Sequence, residues 1–254
     1  MTLSCKDLCA SYGSHQVLNN ISLTLNKGDF ICLCGKNGSG KSTLLKLLSG
    51  TYPLNKRALH ITGGSISPVF KDPRLASQKI SYLPQSETPA WNCSVLDCIL
   101  QGRFSRTEGI YTLQDKDIAC KMADAIGIGH LLDRTIFSLS GGEFQKVRIA
   151  RSLTQEPEFL LLDEPCASLD FTAQNELFLT LKELCKSTNT GVLMSIHDIN
   201  AAARYADILG LLPVNKPLLL GSVSQIFTAQ NLNATFDCKI KIFNHPVLNC
   251  PQIY

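Results

Sequence analysis

The segment GKNGSGKS, residues Gly35 to Ser42, carries the strongest chemical signal in this sequence of 254 residues. It fits the pattern G-x-x-x-x-G-K-[ST], follows the apolar run Phe30 to Cys34, and precedes an apolar-faced segment from Ser42 to Leu48. Glycines at this spacing let backbone N–H groups surround phosphates, while Lys41 reaches the β- and γ-phosphates and the Ser42 hydroxyl ligates Mg²⁺. The pattern therefore predicts a nucleoside triphosphate site. The loop residues expected to contact the nucleotide are Gly35, Lys36, Asn37, Gly38, Ser39, Gly40, Lys41, Ser42 and Thr43.

Two acidic residues end a second apolar run. In FLLLDE, residues 159 to 164, four apolar residues lead directly into Asp163 and Glu164. At the carboxyl end of a parallel strand, Asp163 would face the phosphate loop and hold Mg²⁺ through water. Glu164 would polarise the water that attacks the γ-phosphate, because this task needs an acceptor near a metal-neutralised anion. Carboxylates at a strand exit often meet only solvent, and it is the phosphate loop that favours catalysis here.

The segment LSGGE, residues 139 to 143, is a third chemical feature. Ser140 and Glu143 have the spacing of a capping box, which predicts the start of a helix. The adjacent Gly141 and Gly142 also leave the N–H groups at that helix end accessible to a second phosphate group. This helix start is therefore a second candidate for phosphate contact.

The elements that position these residues alternate between strand and helix, which indicates an α/β fold with a parallel sheet. Between residues 86 and 153 the strand signal fades, and this predicts a helical subdomain inserted into a core of residues 1–85 and 154–254, all within one domain spanning 1–254. Residues 51 to 81, rich in Pro and Gly, are expected to form short strands and turns. The predicted strands are Phe30 to Cys34, Phe159 to Leu162, Gly191 to Ile196 and Leu218 to Gly221. The predicted helices are Ser42 to Leu48, Asp115 to Ile126, Thr172 to Cys185 and Ile226 to Phe236.

Composition excludes several classes of protein. With 44% hydrophobic and 18% charged residues the chain is not disordered. The surplus of 24 basic over 21 acidic side chains is too small to predict a nucleic-acid surface. Eleven cysteines lie in apolar surroundings without C-x-x-C spacing, and no signal-peptide pattern is visible, which favours reduced thiols in the cytoplasm. No apolar run of about 18 residues is present, so any membrane role requires a partner.

In their order along the chain, these segments resemble the motifs of the nucleotide-binding subunit of an ATP-binding-cassette (ABC) transporter. The matching positions are Tyr12 for the adenine-stacking aromatic, Gly35 to Thr43 for Walker A, Gln85 for the Q-loop, Leu139 to Glu143 for the signature, Asp163 and Glu164 for Walker B, Ser168 to Asp170 for the D-loop, and His197 for the switch histidine. The resemblance implies a P-loop NTPase (RecA-like) core with an antiparallel β subdomain and an inserted α-helical subdomain. It implies ATP hydrolysis with Mg²⁺.

The resemblance also assigns roles and partners. It makes Lys41, Glu164 and His197 catalytic, with His197 on the γ-phosphate. Two copies would sandwich two ATP molecules head to tail, each ATP touching Ser140, Gly141, Gly142 and Asp170 of the opposite copy. The Mg²⁺ ligands expected are Ser42, Gln85 and Asp163. The further partners implied are a polytopic membrane permease, which Gln85 would couple to the nucleotide, and a separate substrate-binding protein. This places the chain at the cytoplasmic face of the cell membrane as a peripheral subunit.

The segment YLPQ, residues 82 to 85, and the segment VLDCILQGR, residues 95 to 103, resemble ATPase subunits of importers for iron-siderophore, haem and cobalamin. A zinc or manganese importer ATPase and a soluble ABC ATPase of iron-sulphur cluster assembly remain alternatives. Two departures from the family pattern stand out: Lys36 replaces a frequent proline and adds charge near the phosphates, and Cys166 replaces a frequent threonine.

Overall fold

The computed structural model of the chain describes residues 2–51, 59–68, 72–107 and 109–254. The strands are β1 (Thr2–Tyr12), β2 (His15–Asn26), β3 (Phe30–Cys34), β4 (Leu59–Ser67), β5 (Ile80–Leu83), β6 (Phe159–Asp163), β7 (Gly191–Ser195), β8 (Ile208–Leu211), β9 (Leu219–Ser222), β10 (Ile242–Asn244) and β11 (Pro251–Ile253). The α-helices are α1 (Lys41–Ser49), α2 (Pro73–Lys79), α3 (Val95–Leu100), α4 (Phe104–Thr107), α5 (Leu113–Ala125), α6 (Gly141–Thr154), α7 (Phe171–Ser187), α8 (Ile199–Tyr205), α9 (Val223–Ile226) and α10 (Ala229–Phe236).

A six-stranded sheet in the order β5-β6-β7-β3-β8-β9 forms the centre of the molecule. Its first five strands run parallel and β9 pairs antiparallel with β8. Every residue of β3, β6 and β7 is buried, as expected for strands of a parallel sheet that is covered on both faces. Because these three strands are neighbours and point the same way, the residues that follow them meet at one edge.

A smaller antiparallel sheet in the order β2-β1-β4 covers one face of the central sheet. Alternate residues of β2 from Ile21 to Leu25 are buried, the period-2 pattern of a strand with one wet face. Together with α1 this sheet encloses a core cluster that includes Ile21, Leu44 and Leu45. The antiparallel sheet thus holds α1, and with it the phosphate loop, against the central sheet, where α1 packs on β5 and β6.

Helices α3 to α6 form the helical segment of the chain, and α3, α5 and α6 contribute residues to a second core cluster. Three of them begin at a side-chain cap that bonds the backbone N–H three residues on: Ser94 for α3, Thr112 for α5 and Ser140 for α6. Thr112 starts α5 at Leu113, two residues before the sequence prediction, because its capping box with Asp115 fixes the first turn. The boundaries drawn for the core and the helical subdomain stay a prediction.

The α/β fold class with a P-loop core is confirmed, and two segments differ in detail. In the region read as short strands and turns, β4 is one nine-residue strand and Pro73 begins α2, where Asp72 caps the helix. Of the region predicted as short strands and turns, residues 52–58 and 69–71 lie outside the described residues. The helix predicted over 226–236 is broken after α9, and Thr228 caps α10. None of the helices in the described ranges combines the length and apolar character that a membrane crossing needs.

Candidate nucleotide site

The phosphate loop connects β3 to α1, and the side chain of Lys41 lies folded beneath it. Lys41 is buried, and its Nζ donates hydrogen bonds to the carbonyl oxygens of Gly35 at 2.8 Å and Lys36 at 3.1 Å. Burial lowers the pKa of Lys41, and the nearby carboxylates of Glu164 and Asp163 oppose this shift. The loop therefore concentrates one buried positive charge at the N-terminus of α1, where the helix dipole adds to it.

Two glycines of the loop are required by the packing around it. Gly40 has φ 101°, and a Cβ there would lie 2.7 Å from Leu18 Cδ2 of the antiparallel sheet. A Cβ on Gly35 would lie 2.5 Å from the carbonyl oxygen of Leu212, which follows β8. Both positions thus need glycine because the loop lies close to the two sheets. Gly40 needs it also because its backbone is in the left-handed conformation.

The loop also holds an unpaired polar atom. The Oγ of Ser39 is buried, and within the described part of the chain it has no hydrogen-bond partner. A buried hydroxyl of this kind calls for a ligand or water, because leaving it unpaired is costly. The hydroxyl faces Gly35, since a Cβ on that glycine would lie 2.8 Å from Ser39 Oγ.

The two acids at the end of β6 are held by Ser195, the last residue of the neighbouring strand β7. Asp163 and Ser195 are paired in register, and the serine Oγ donates to Asp163 Oδ1 at 2.7 Å. The backbone N–H of Glu164 donates to both the Oγ and the carbonyl oxygen of Ser195, at 2.9 and 3.2 Å. Tyr82 OH lies 3.5 Å from Asp163 Oδ2, and burial together with this carboxylate raises the pKa of Tyr82. Ser195 thus fixes both acids, a role that the sequence analysis missed.

The carboxylate of Glu164 contacts two other predicted site residues. Gln85 Nε2 donates to Glu164 Oε2 at 2.6 Å, and His197 Nε2 lies 2.7 Å from Glu164 Oε1. Glu164 has φ 50°, a left-handed conformation rare for a non-glycine residue. Its side chain is almost fully buried, whereas that of His197 is half exposed. The structure therefore joins the ends of β5, β6 and β7 through one carboxylate.

These groups line a cleft of about 530 Å³. The predicted site residues that line it are Tyr12, Asn37, Gly38, Gly40, Lys41, Ser42, Thr43, Gln85, Glu164 and His197. His15 and Val17, which the sequence analysis did not single out, line it as well. The antiparallel register pairs His15 with Tyr12, and paired residues share a face of the sheet. Gly35, Lys36, Ser39 and Asp163 do not line it, and Lys36 Nζ lies 3.4 Å from Asp237.

Of the four residues predicted at the signature and the D-loop, Ser140, Gly142 and Asp170 line a second cleft of about 440 Å³, whereas Gly141 does not line it. The capping box expected at α6 is formed: Ser140 N and Oγ both donate to Glu143 Oε2 at 2.8 Å, and Glu143 N donates to Ser140 Oγ at 3.3 Å. Asp170 caps α7 by accepting from Ala173 N at 2.8 Å. Among the described residues, none lines both clefts.

A charged network that the sequence analysis missed connects the Q-loop with α6. Arg148, almost fully buried, donates from Nη2 to the carbonyl oxygen of Pro84 at 2.6 Å and from Nη1 to Gln145 Oε1 at 2.6 Å. Gln145 Nε2 donates in turn to the carbonyl oxygen of Pro165 at 3.0 Å. Glu87 binds the guanidinium groups of Arg148 and of Arg151, its neighbour one turn along α6, and this lowers the pKa of Glu87 against the effect of burial. Residues beside Gln85 and Glu164 are thus tied to the helix that begins at Ser140.

Comparisons with known proteins agree with this arrangement. The ABC transporter family model matches residues 18–167, a stretch that includes the phosphate loop, Gln85, the LSGGE segment and both acids. Among curated relatives, the hemin import ATP-binding protein HmuV of Deinococcus radiodurans is 33% identical over 97% of this chain and 94% of its own length. An uncharacterized ABC transporter ATP-binding protein of Methanocaldococcus jannaschii is 34% identical over 93% of this chain and 82% of its own length.

Solved structures give the same result at the level of the fold. An ABC transporter assigned to the metal-chelate type, in an inward-facing conformation, superposes with a TM-score of 0.82 at 29% identity, covering 100% of this chain and 96% of the matched one. An ATP-binding cassette in its ADP conformation, at 24% identity, shares the fold with a TM-score of 0.75 over 89% of this chain and 92% of its own. The matched motifs, the cleft they line and these relatives lead to one assignment. The chain belongs to the ABC transporter family, as one of its ATP-hydrolysing subunits.

Proposed function

We propose that this chain uses Mg²⁺-dependent ATP hydrolysis in the first cleft to power import of an iron chelate of the haem type through a polytopic membrane permease. The observation that carries the catalytic part is the Glu164 carboxylate, held between Gln85 and His197 and opening on the same cleft as Lys41. The cargo is inferred from relatives named as hemin import ATP-binding proteins and from the metal-chelate type of the similar transporter.

The binding role falls to the phosphate loop and the antiparallel sheet. Tyr12 at the end of β1 offers an aromatic face to the adenine, a contact worth about 1–3 kcal/mol for bases stacked on aromatic side chains. Lys41 would release the carbonyl oxygens of Gly35 and Lys36 and turn its charge to the β- and γ-phosphates.

Ser42, Gln85 and Asp163 are the residues that would hold Mg²⁺. Ser42 and Gln85 line the cleft, and Asp163 lies behind it at the end of β6, with its Oδ1 bonded to Ser195. Hydroxyl, amide and carboxylate oxygens are the ligands that Mg²⁺ prefers, commonly with waters completing the shell. When bound, the ion neutralises charge on the transferring phosphate.

The catalytic step assigned to Glu164 is orientation of a water molecule for in-line attack on the γ-phosphate. A carboxylate is suited to this because it accepts a hydrogen bond from the water as negative charge moves to the leaving group. Gln85 and His197 hold one carboxylate oxygen each, so their contacts fix the direction of the remaining lone pairs. His197, half exposed at the mouth of the cleft, would also donate to the γ-phosphate.

The second cleft supports an assembly of two copies. Ser140, Gly142 and Asp170 meet there, away from the phosphate loop of the same chain. In a head-to-tail dimer this helix start would meet the γ-phosphate bound to the opposite copy, where its N–H groups and the Ser140 hydroxyl supply donors. The chain would then act as a peripheral subunit at the cytoplasmic face of the membrane, with a separate substrate-binding protein delivering the cargo to the permease.

The decisive experiment compares Glu164→Gln with an isosteric control, Glu183→Gln, at an exposed carboxylate on α7. Glu164→Gln should retain ATP while phosphate release slows by about a hundredfold or more, as expected for the loss of a positioned base. Glu183→Gln should match the parent protein in both measurements. Full hydrolysis by Glu164→Gln would refute the assignment of the water-orienting role.

The cargo requires a separate experiment. With the permease and binding protein reconstituted in vesicles, hemin should stimulate ATP hydrolysis and accumulate inside, whereas zinc and manganese ions should do neither. Stimulation by cobalamin or by a ferric siderophore in place of hemin would keep the importer class and change its cargo. Stimulation by zinc or manganese alone would contradict the iron-chelate proposal.

A further inference from the structure

The C-terminal hairpin, formed by β10 and β11, is bonded to the helix that follows His197. Asn200, the second residue of α8, donates from Nδ2 to the carbonyl oxygen of Ile253 at 3.2 Å and accepts at Oδ1 from the Ile253 N–H at 2.7 Å. Gln252 Nε2 donates to the carbonyl oxygen of Asn200 at 3.2 Å. The side chain of Asn200 therefore hydrogen-bonds both the backbone N–H and the carbonyl oxygen of Ile253.

The opposite end of α8 is held by α7. The Tyr205 ring stacks on Phe178 with centroids 4.7 Å apart and an interplanar angle of 5°. Tyr205 OH donates to Asn175 Oδ1 at 2.7 Å, and Lys182 Nζ donates to the carbonyl oxygen of Tyr205 at 2.7 Å. The short helix is thus fixed at its C-terminal end by a neighbouring helix and at its N-terminal end by the hairpin.

His197 lies between two fixed points that are close along the chain. On one side, Ile196 N donates to the carbonyl oxygen of Leu33 in the central sheet at 3.1 Å. On the other side, Asp198 caps α8 by accepting from Asn200 N at 2.8 Å and from Ala201 N at 3.1 Å. His197 itself is half exposed, so neighbouring side chains enclose it only in part. The direction of its imidazole therefore depends on where the first turn of α8 is placed.

We propose that the contact between Asn200 and β11 is a brace that positions His197 against Glu164, and that Asn200 is a positioning residue for ATP hydrolysis. The inference rests on the catalytic role proposed above for His197. A side chain that donates and accepts at the same residue resists both translation and rotation of the helix start, which a single hydrogen bond does not. The same C-terminal segment also reaches the phosphate loop, since Asp237 lies 3.4 Å from Lys36 Nζ in an exposed ion pair.

The brace predicts a particular kinetic signature. Loss of two neutral hydrogen bonds that hold the helix start should lower kcat by about tenfold, because fewer molecules then present His197 in its working orientation. KM for ATP should stay within about twofold, since Tyr12, Lys41 and the loop glycines are untouched. A general loss of folded protein would also lower the measured activity. In that case, however, faster hydrogen exchange would not be confined to α8.

The experiment uses the full chain with two independent ways of breaking the brace. Asn200→Asp keeps the size of the side chain and its acceptor but places an oxygen opposite the Ile253 carbonyl. A negative charge in the first turn favours the helix itself. If Asn200 only stabilised α8, Asn200→Asp should therefore keep the kcat of the parent protein. If Asn200 acts as the brace, Asn200→Asp should lower kcat. Ile253→Pro removes the backbone donor from the other side, and Ile253→Val is its matched control with the donor kept.

Steady-state kinetics and amide hydrogen exchange over residues 197–203 are measured together, with His197→Ala as the reference. Support consists of a kcat loss in Asn200→Asp and Ile253→Pro, parent behaviour in Ile253→Val, and faster exchange confined to the start of α8. Unchanged kcat in both brace variants beside an inactive His197→Ala overturns the brace and leaves the proposed function intact. Full activity of His197→Ala overturns the role of His197 and the brace with it.

Discussion

The two clefts differ in what they offer a nucleotide. The first brings together a buried lysine, a buried carboxylate, an amide and a histidine, so it contains the groups that bind phosphate and activate water. The second offers a capped helix start with Gly142 and the Ser140 hydroxyl, which can contact an anion, while its carboxylates Glu143 and Asp170 are engaged in the caps of α6 and α7. Chemistry is thus concentrated in one cleft and recognition in the other. This division favours an active site completed by a second copy of the chain.

A short connection joins the two clefts. Glu164 lines the first and Asp170 lines the second, six positions further along the chain. Within this connection Leu169 N donates to the carbonyl oxygen of Cys166 at 3.1 Å, and Gln145 of α6 donates to the carbonyl oxygen of Pro165 at 3.0 Å. These hydrogen bonds hold the connection together and attach it to α6. A displacement of Glu164 would therefore also displace Asp170 and α6, which would face the second copy.

The largest effect is expected from Lys41→Ala, which removes the charge of the first cleft. ATP affinity should fall by about a hundredfold or more, since a charged hydrogen bond contributes about 1.5–3 kcal/mol and Lys41 would make more than one. Folding should not suffer, because the unfavourable burial of the Lys41 charge, which lowers its pKa, offsets the two hydrogen bonds to Gly35 and Lys36 that the substitution removes. Equilibrium binding of ATP and thermal unfolding are the measurements.

The matched control is Lys46→Ala, five residues further along α1 and half-buried. It should bind ATP as the parent protein does. Equal losses of affinity in Lys41→Ala and Lys46→Ala would mean that helix α1, rather than the charge in the cleft, accounts for binding. A lower melting temperature for Lys41→Ala would contradict the claim that the buried charge is unfavourable to folding.

Much of the first cleft could be predicted from sequence because each of its parts leaves a local pattern. Apolar runs give β3, β6 and β7, and the glycine spacing gives the loop between β3 and α1. Ser195 could not be predicted, since a serine in a buried strand has no signature until the register places it opposite Asp163. Helix α2 was missed because Pro73 was read as a breaker, although proline is favourable at the first position of a helix.

The C-terminal hairpin was missed for a different reason. Strands β10 and β11 have three residues each and only partial burial, so neither leaves a periodic pattern. They are held by contacts distant in sequence, among them the packing of Ile242 and Ile253 on the core cluster and the hydrogen bonds of Asn200 with Ile253. The second cleft could be predicted only in part. The capping box of α6 is visible in the sequence, whereas the closeness of Ser140 to Asp170 depends on the fold.

The second cleft can be tested with Ser140→Arg in a Glu164→Gln background, where ATP stays bound. Bulk at this helix start should prevent ATP-dependent dimerisation, because the γ-phosphate of the opposite copy would have to occupy the same space. ATP binding by the monomer should change by less than about threefold, since the first cleft is untouched. Sedimentation with and without ATP measures the first effect, and equilibrium binding measures the second.

Two controls separate bulk from loss of the helix cap. Ser140→Ala removes the cap, at a cost of about 0.5–2 kcal/mol, without adding bulk, so its dimer should weaken less than that of Ser140→Arg. Ser187→Arg adds the same bulk at an exposed position near the end of α7 and should dimerise normally. Normal dimerisation of Ser140→Arg would remove the second cleft from the proposed dimer interface.

A smaller effect is expected at the Q-loop, where Gln85 contacts Glu164 and Pro84 is bonded to Arg148 of α6. Gln85→Ala should lower transport and the permease-stimulated part of ATP hydrolysis by about tenfold, because the link between the first cleft and α6 is broken. Basal hydrolysis should fall by no more than about threefold. Gln230→Ala, at an exposed position on α10, serves as control. Equal losses in the isolated and the reconstituted protein would show that Gln85 serves chemistry rather than coupling.

The smallest effect concerns Cys166, which lies on the connection between the clefts. Burial, with a contribution from Asp198, raises the pKa of the Cys166 thiol to about 12. Since the thiolate is the reactive form, an alkylating reagent at pH 7 should modify the exposed Cys238 and spare Cys166. ATP hydrolysis should therefore change by less than about twofold after treatment, and Cys238→Ser should behave in the same way. Labelling of Cys166 at pH 7, mapped by peptide mass, should become rapid only when a denaturant unfolds the chain and removes the burial. Rapid labelling of Cys166 at pH 7 without denaturant would show that the connection opens to solvent, and the two clefts would then be less firmly joined than their hydrogen bonds indicate.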